Sequence, residues 1–209
     1  MALSGEDRSF FARGRVAWLK HRLDKLGVRV GSVLDFGCGT GVSAELFLKC
    51  LGVQRFTGVD VSEKSLAVAQ KAHGGEGKEF TLIQNYAPRA EFDLAFCNGV
   101  FHHIPPPERP ESAEYVFRAL KPGGLFAVFE NNPWNPGARL VMRRIAFDRD
   151  AIRLWPSESR RLLRNAGFTI LLTDSLFYFP RAFAWLRGLE PMLAALPFGA
   201  QYLVLARKS

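Results

Sequence analysis

The stretch Val33-Leu34-Asp35-Phe36-Gly37-Cys38-Gly39-Thr40-Gly41 constrains this chain more than any other. A short apolar run ending in glycines at alternate positions reads as a buried strand that turns sharply into a helix, with backbone free to approach a ligand. The same alternation of periods continues on both sides. Residues 15–26 place Val16, Leu19, Leu23 and Leu26 at helical spacing. Residues 42–51 and 62–73 are also helical, with Ser62 as N-cap, whereas 55–60, 79–84 and 92–98 read as strands. A helix over 110–120 leads through Lys121-Pro122-Gly123-Gly124 into a strand over 125–130. A helix over 157–168, stopped by Gly167, precedes strands over 169–177 and 200–208. Strands alternating with helices imply a doubly wound, mostly parallel α/β sheet, and the two closing strands imply an antiparallel pair at one edge.

Composition sets the outer bounds. With 209 residues, 48% hydrophobic and 23% charged, the chain fits one domain over 1–209, with an N-terminal helical segment at 1–30. Two stretches, 131–156 and 178–199, exceed an ordinary connection and read as inserted substrate or lid segments. The charged start and the lack of a long unbroken apolar run speak against a signal peptide or a membrane span. Three scattered cysteines suggest neither a disulfide framework nor a metal site, so a cytoplasmic location is expected. Charge is uneven: residues 131–209 hold 12 basic and 5 acidic side chains, against 9 and 12 in 31–130. That balance suits either a solvated arginine-rich surface or attraction to an anionic substrate or an anionic membrane face.

The glycine loop invites comparison with a dinucleotide fingerprint, but that pattern requires glycine where this chain has Val42. Asp35 would also face a bound pyrophosphate, so a ligand carrying positive charge fits better. Asp60, ending the next strand, is placed to accept from both hydroxyls of a ribose. Together these residues describe a nucleoside-bearing cationic ligand.

VLDFGCGTG, GVDVS, FDLAFCNGVFHHI and LKPGGLFAVFE, in that order, resemble the motifs of class I S-adenosylmethionine-dependent methyltransferases. The resemblance covers about residues 30–130 closely and the chain to 208 more loosely. It implies a seven-stranded sheet with an antiparallel last strand, S-adenosylmethionine as cofactor, and methyl transfer as the activity. It further implies that Gly37, Cys38, Gly39 and Gly41 cradle the methionine part, with Asp35 near its ammonium. Asp60 would hold the ribose and Val61 would pack on the adenine. Asn85 and Tyr86 stand where the family often has an acid, and an Asn oxygen can accept from the adenine amino group. Asn98 and Gly99 would lie beside the sulfonium.

Methyl transfer mainly requires alignment, plus removal of a proton if the acceptor is an alcohol or acid. His102 and His103 are the candidate bases, with packing or lining the cofactor pocket as the alternative role. Asn131-Asn132-Pro133-Trp134 resembles the Asn-Pro-Pro-aromatic motif of nucleic-acid amino-methyltransferases, but it follows the fifth strand rather than the fourth. Trp134 and Asn135 remain candidates for a substrate wall, and Arg144, with its neighbouring arginines, for an anion contact. The chain leaves no room for an appended nucleic-acid module, so a small or lipid-linked anionic acceptor for O-methylation is expected over RNA, with N- or C-methylation open because no motif identifies the acceptor atom. A non-catalytic cofactor-binding subunit is the other alternative. In 178–199, Trp185, Leu189, Met192, Leu193 and Leu196 fall on one side of a helix that Pro191 should shorten or kink. Buried, that side would close the core or the pocket; exposed, it would suit a greasy acceptor or peripheral contact with a membrane.

Overall fold

The computed structural model describes residues 5–144 and 151–209, with the backbone alone at Val141, Arg143 and Arg144. Seven strands form one sheet: β1 (Ser32–Phe36), β2 (Arg55–Asp60), β3 (Lys78–Leu82), β4 (Phe92–Asn98), β5 (Leu120–Asn131), β6 (Phe168–Leu176) and β7 (Gln201–Lys208). Their order is β3-β2-β1-β4-β5-β7-β6. The first five strands run parallel to one another, and β7 lies antiparallel between β5 and β6. The order reverses between β1 and β4, the switch point where doubly wound sheets open a crevice at their carboxyl ends.

Strand periodicity sorts the core into two faces. On one, Leu34, Phe36, Phe126, Val128, Tyr202 and Val204 pack with Val116 of α4 (Arg109–Ala119) and Leu163 of α6 (Pro156–Asn165). On the other, Val33, Phe96, Leu125, Phe129 and Leu203 meet Val16, Leu19 and Leu23 of α1 (Arg8–Leu26) and Phe47 of α2 (Ala44–Leu51). Successive side chains point to opposite faces, so Asp35 looks toward the α1 and α2 side. Helix α1 starts well before residue 15, because Asp7 caps it by accepting from the Phe10 amide at 2.7 Å. Leu26 is exposed, where the chain leaves the helix through Gly27 at φ +66°.

Helix α3 (Glu63–His73) begins after Ser62, whose hydroxyl accepts from the Ser65 amide. Strand β3 ends two residues early, and Ile83–Asn85 form a 3-10 turn. In β5 the ladder skips from Leu120 to Leu125, so Lys121–Gly124 bulge outward where a turn is expected. The inserted stretch after β5 carries α5 (Pro136–Arg144).

The closing insertion departs furthest from expectation. Instead of one amphipathic helix, Arg181–Leu189 form 3-10 turns broken at Phe183, followed by the four-residue α7 (Glu190–Leu193). Pro191 has no N–H to give and stands in the first turn of α7, where that costs nothing. Trp185, Leu189, Met192 and Leu196 face solvent rather than the core. Among the described residues, no helix is long and apolar enough to cross a membrane.

Candidate functional site

The loop between β1 and α2 is fastened to β2 first through backbone: the Gly37 and Cys38 amides both donate to the Val59 carbonyl, at 2.8 and 3.0 Å. Gly37, Gly39 and Gly41 have φ of +75°, +54° and +74°, a region that side chains disfavour. Their reasons for being glycine differ. A Cβ on Gly37 would lie 2.3 Å from a methyl of Val100, and one on Gly41 2.8 Å from the Phe80 ring. A Cβ on Gly39 would meet nothing within 4 Å. Two glycines therefore serve packing, and the middle one borders open space. Asp60 braces that point: its carboxylate accepts from the Gly39 amide at 2.8 Å and the Ser62 amide at 2.9 Å.

Asp35 is 2% exposed at the end of β1. Ser43, at the start of α2, makes no cap bond and instead donates to the Asp35 carboxylate at 2.7 Å. Burial pushes the Asp35 carboxyl up to about 7, and Asp60 adds to the rise, while the Ser43 bond and Arg15 oppose it. Arg15 reaches over from α1. Its Nη1 donates to Gln201 Oε1 at 3.0 Å, and its Nε is buried without a partner. Burial lowers the guanidinium to about 10, with Asp35 pulling it upward, so it stays cationic near neutrality. Asn98, ending β4, likewise has a buried side-chain oxygen with no partner.

These groups border a cavity of about 720 Å³. Asp35, Gly37, Cys38, Ser43 and Asn98 form its floor. Phe10, Phe11 and Arg15 of α1 wall one side, Phe177, Tyr178, Phe179 and Pro180 another, and Asn135, Ala138 and Met142 a third. Gly14 lets α1 come down on this wall, since a Cβ there would lie 2.6 Å from the Phe177 ring. The far edge strand holds α1 in place: Asp174 of β6 accepts from Trp18 Nε1 at 2.8 Å and from Arg22 Nε and Nη2 at 2.6 and 2.9 Å. Arg8 and Arg187 also line the cavity, and Arg187 pairs with Glu6 at 2.8 Å.

Of the residues singled out from sequence, Asp35, Gly37, Cys38 and Asn98 line the cavity, as does Asn135. Val61 is 81% exposed just past the end of β2, and Asn85 is exposed beyond β3. Tyr86 turns inward instead, its hydroxyl donating to Glu91 and its ring 6.0 Å from that of Phe92. Gly99 follows Asn98 at φ +66°, its amide donating to the Phe129 carbonyl. His102 and His103 do not line the cavity. His102 is drawn under the sheet end, where Nδ1 meets the buried Glu130 carboxylate, which also accepts from the Phe101 amide at 2.9 Å. The Ile152 amide donates to the His102 carbonyl and covers it. Trp134 stacks edge-on against Trp155 with its own face exposed, outside the cavity lining. The Arg144 side chain lies outside the described residues, as does Arg149. Sequence reasoning missed Arg15, Ser43 and the aromatic wall. The signal for Arg15 was present as Phe11 and Arg15 one helical turn apart, but nothing local says which strand end they overhang.

A methyltransferase-domain family model matches residues 33–124. Ubiquinone biosynthesis O-methyltransferase of Pseudomonas fluorescens (strain Pf0-1) is 31% identical over 181 residues, 79% of this chain and 75% of that protein. Trans-aconitate 2-methyltransferase of Rhodopseudomonas palustris (strain BisB18) is 33% identical over 115 residues, 55% of this chain and 44% of that enzyme's length. Among solved structures, an S-adenosylmethionine dependent methyltransferase from Mesorhizobium loti superposes with a TM-score of 0.67 at 23% identity, covering 94% of this chain and 100% of that one. That likeness bears on the fold; the sequence relatives bear on the family. The chain belongs to the class I S-adenosylmethionine-dependent methyltransferases.

Proposed function

We propose that this enzyme methylates an oxygen of a small or lipid-linked anionic metabolite. The observation that carries the reading is the cavity beside Asp35 and Asn98, walled by aromatic side chains and carrying Arg8, Arg15 and Arg187. Its volume of about 720 Å³ is within the range of small-ligand sites. Aromatic walls suit an unsaturated or greasy acceptor body, and arginines suit its anionic group.

The cofactor supplies an electrophilic methyl group on a sulfonium. The residues fit it: the open space at Gly39, the buried Asp35 and the unpartnered oxygen of Asn98 make a cradle for a cation. Asp35 would take its ammonium, so the cationic end of the methionine part is read by opposite charge. The backbone of Gly37, Cys38, Gly39 and Gly41 would line that part. Asp60, already aimed by two backbone amides, keeps acceptor capacity for the ribose hydroxyls. Val61 would cover the adenine, and Asn85 would accept from its amino group. Asn98 and Gly99 would stand beside the sulfonium.

The arginines also bear on the proton. An acceptor oxygen held beside guanidinium groups stays anionic, and an oxygen already ionised needs no base. His102, outside the cavity, then acts by holding the loop after β4 against Glu130, with the His103 ring packed beside it. The two sequence relatives support an oxygen acceptor of this kind, one by its name as an O-methyltransferase and the other by acting on trans-aconitate. The test is transfer of labelled methyl groups by the isolated chain into a cell extract, with aqueous and lipid fractions counted separately. Label in an acidic small-molecule or lipid fraction supports the reading. Label only in RNA or protein, or no transfer at all, overturns it.

A further inference from the structure

Exposed large apolar side chains are concentrated on one part of the surface. Phe183, Trp185, Leu189, Met192, Leu196 and Phe198 all face solvent within sixteen residues, Trp185 at 79% and Met192 at 81% exposure. The stretch carrying exposed Trp134 and Leu140 is joined to them: Asn135 Nδ2 donates to the Phe198 carbonyl and Asn132 Nδ2 to the Pro197 carbonyl, both at 2.8 Å. The two insertions therefore make one surface. Their other sides wall the cavity, through Asn135, Ala138 and Met142 in one and Tyr178, Phe179, Pro180 and Arg187 in the other.

Exposed charge on this surface, among the described residues, is basic, and Arg187 is held apart from it by its pair with Glu6. Residues 131–144 and 178–199 contain five arginines and a single acid, Glu190. Glu190 is turned inward, its carboxylate accepting from the Tyr178 and Phe179 amides at 3.1 Å. Arg139 and Arg181 are exposed. Tryptophan, phenylalanine, leucine and methionine presented outward among arginines match what lies at a membrane surface, apolar groups entering the headgroup boundary and guanidinium groups meeting anionic lipid. A second copy of the chain, docked face to face, would set the same arginines against each other.

We propose that the surface formed by 134–140 and 181–198 docks on an anionic lipid bilayer, holding the cavity walls against the membrane. The inference goes beyond the methyl-transfer reading and is read without catalysis, so its failure would leave that reading standing.

The test is co-sedimentation with vesicles of equimolar phosphatidylglycerol and phosphatidylcholine, compared with vesicles of phosphatidylcholine alone. The wild-type chain should pellet with the anionic vesicles at low salt and leave them as salt rises. Trp185→Asp with Met192→Asp should lower the bound fraction about tenfold. Arg139→Glu with Arg181→Glu should weaken binding and remove its salt dependence. Thermal melting and S-adenosylmethionine affinity should match the wild type in both double variants, since none of the four side chains lines the cavity. Wild type remaining in the supernatant, or unchanged binding by either folded double variant, overturns the proposal. So does a wild-type dimer in solution that Trp185→Asp with Met192→Asp converts to monomer, which would make the surface a contact between copies.

Discussion

The two ends of the site are built by different means. At the proposed cofactor end, the geometry is largely backbone: three left-handed glycines, amides fastened to Val59, and a carboxylate braced by the Gly39 and Ser62 amides. These parts lie within about thirty residues of chain, and Asn85, Asn98 and Gly99 are proposed to join them from the next strand ends. At the proposed acceptor end, the geometry is side chain: Phe10, Phe11 and Arg15 come from the first helix, Met142 from α5 and Phe177 to Pro180 from the exit of β6. Those parts meet only because the sheet is complete. Damage should therefore spread differently from the two ends, with local failure of binding at the first and loss of stability at the second.

The largest effect is expected far from either ligand. Asp174 is buried in β6 and ties down α1 through Trp18 and both ends of the Arg22 guanidinium. Asp174→Ala leaves that guanidinium and the indole N–H without their acceptor, at a cost of about 3 kcal/mol. Urea denaturation should show that loss as a lower midpoint with unchanged slope. A loss under about 1 kcal/mol, the range of a surface ion pair, would mean that α1 is held by its apolar face alone, and the acceptor end would be sturdier than its construction implies.

Gly39→Val makes the opposite case. Its Cβ meets nothing within 4 Å, so the change should cost the fold only the strain of a left-handed side chain, about 1–2 kcal/mol. The added methyls would fill space kept for the cofactor, and affinity should fall about 100-fold, or about 2.7 kcal/mol. Isothermal titration with S-adenosylmethionine, alongside a urea curve, separates the two quantities. Gly41→Val is the control that inverts them, because its Cβ would strike the Phe80 ring and Ala69, and stability should drop first. If Gly39→Val binds normally, the open space beside it is not the cofactor's.

This division explains what could be read from the sequence. The glycine loop, Asp60 and the strand-helix alternation are local patterns, so the sheet and the turn after β1 were legible, including Ser62 as a cap. The acceptor end was not. Arg15 looks like any helical arginine until β1 and α1 are superposed, and Ser43 looks like a helix cap although its hydroxyl serves Asp35. The surroundings of His102 were equally hidden: Glu130, twenty-eight residues on, draws its ring inward, which a histidine pair after β4 does not announce in one dimension. The amphipathic spacing in 178–199 failed because Pro191 starts a new helical turn and the chain kinks at Phe183, so positions on one side of an ideal helix end on an exposed surface.

The smallest effect concerns a proton, and it tests whether the two ends meet at Asp35. Without ligand, burial raises the folded-state Asp35 carboxyl to about 7 from an ordinary 3.8. The protonated form is then favoured by folding, and the stability it contributes is complete below about 3.8 and lost as pH rises through about 7. A cation bound beside the carboxylate works the other way, favouring the ionised form. S-adenosylmethionine binding should therefore tighten as pH rises from 6 toward 8, by about tenfold at most, and release a fraction of a proton near pH 7. Calorimetry in buffers of different ionisation enthalpy reads that fraction directly. Asp35→Asn should abolish both the release and the pH dependence, and it should make the free protein's stability less sensitive to pH across the same range. Proton release that persists in Asp35→Asn would place the titrating group elsewhere, and the ammonium would have to be read by another residue of the cavity floor.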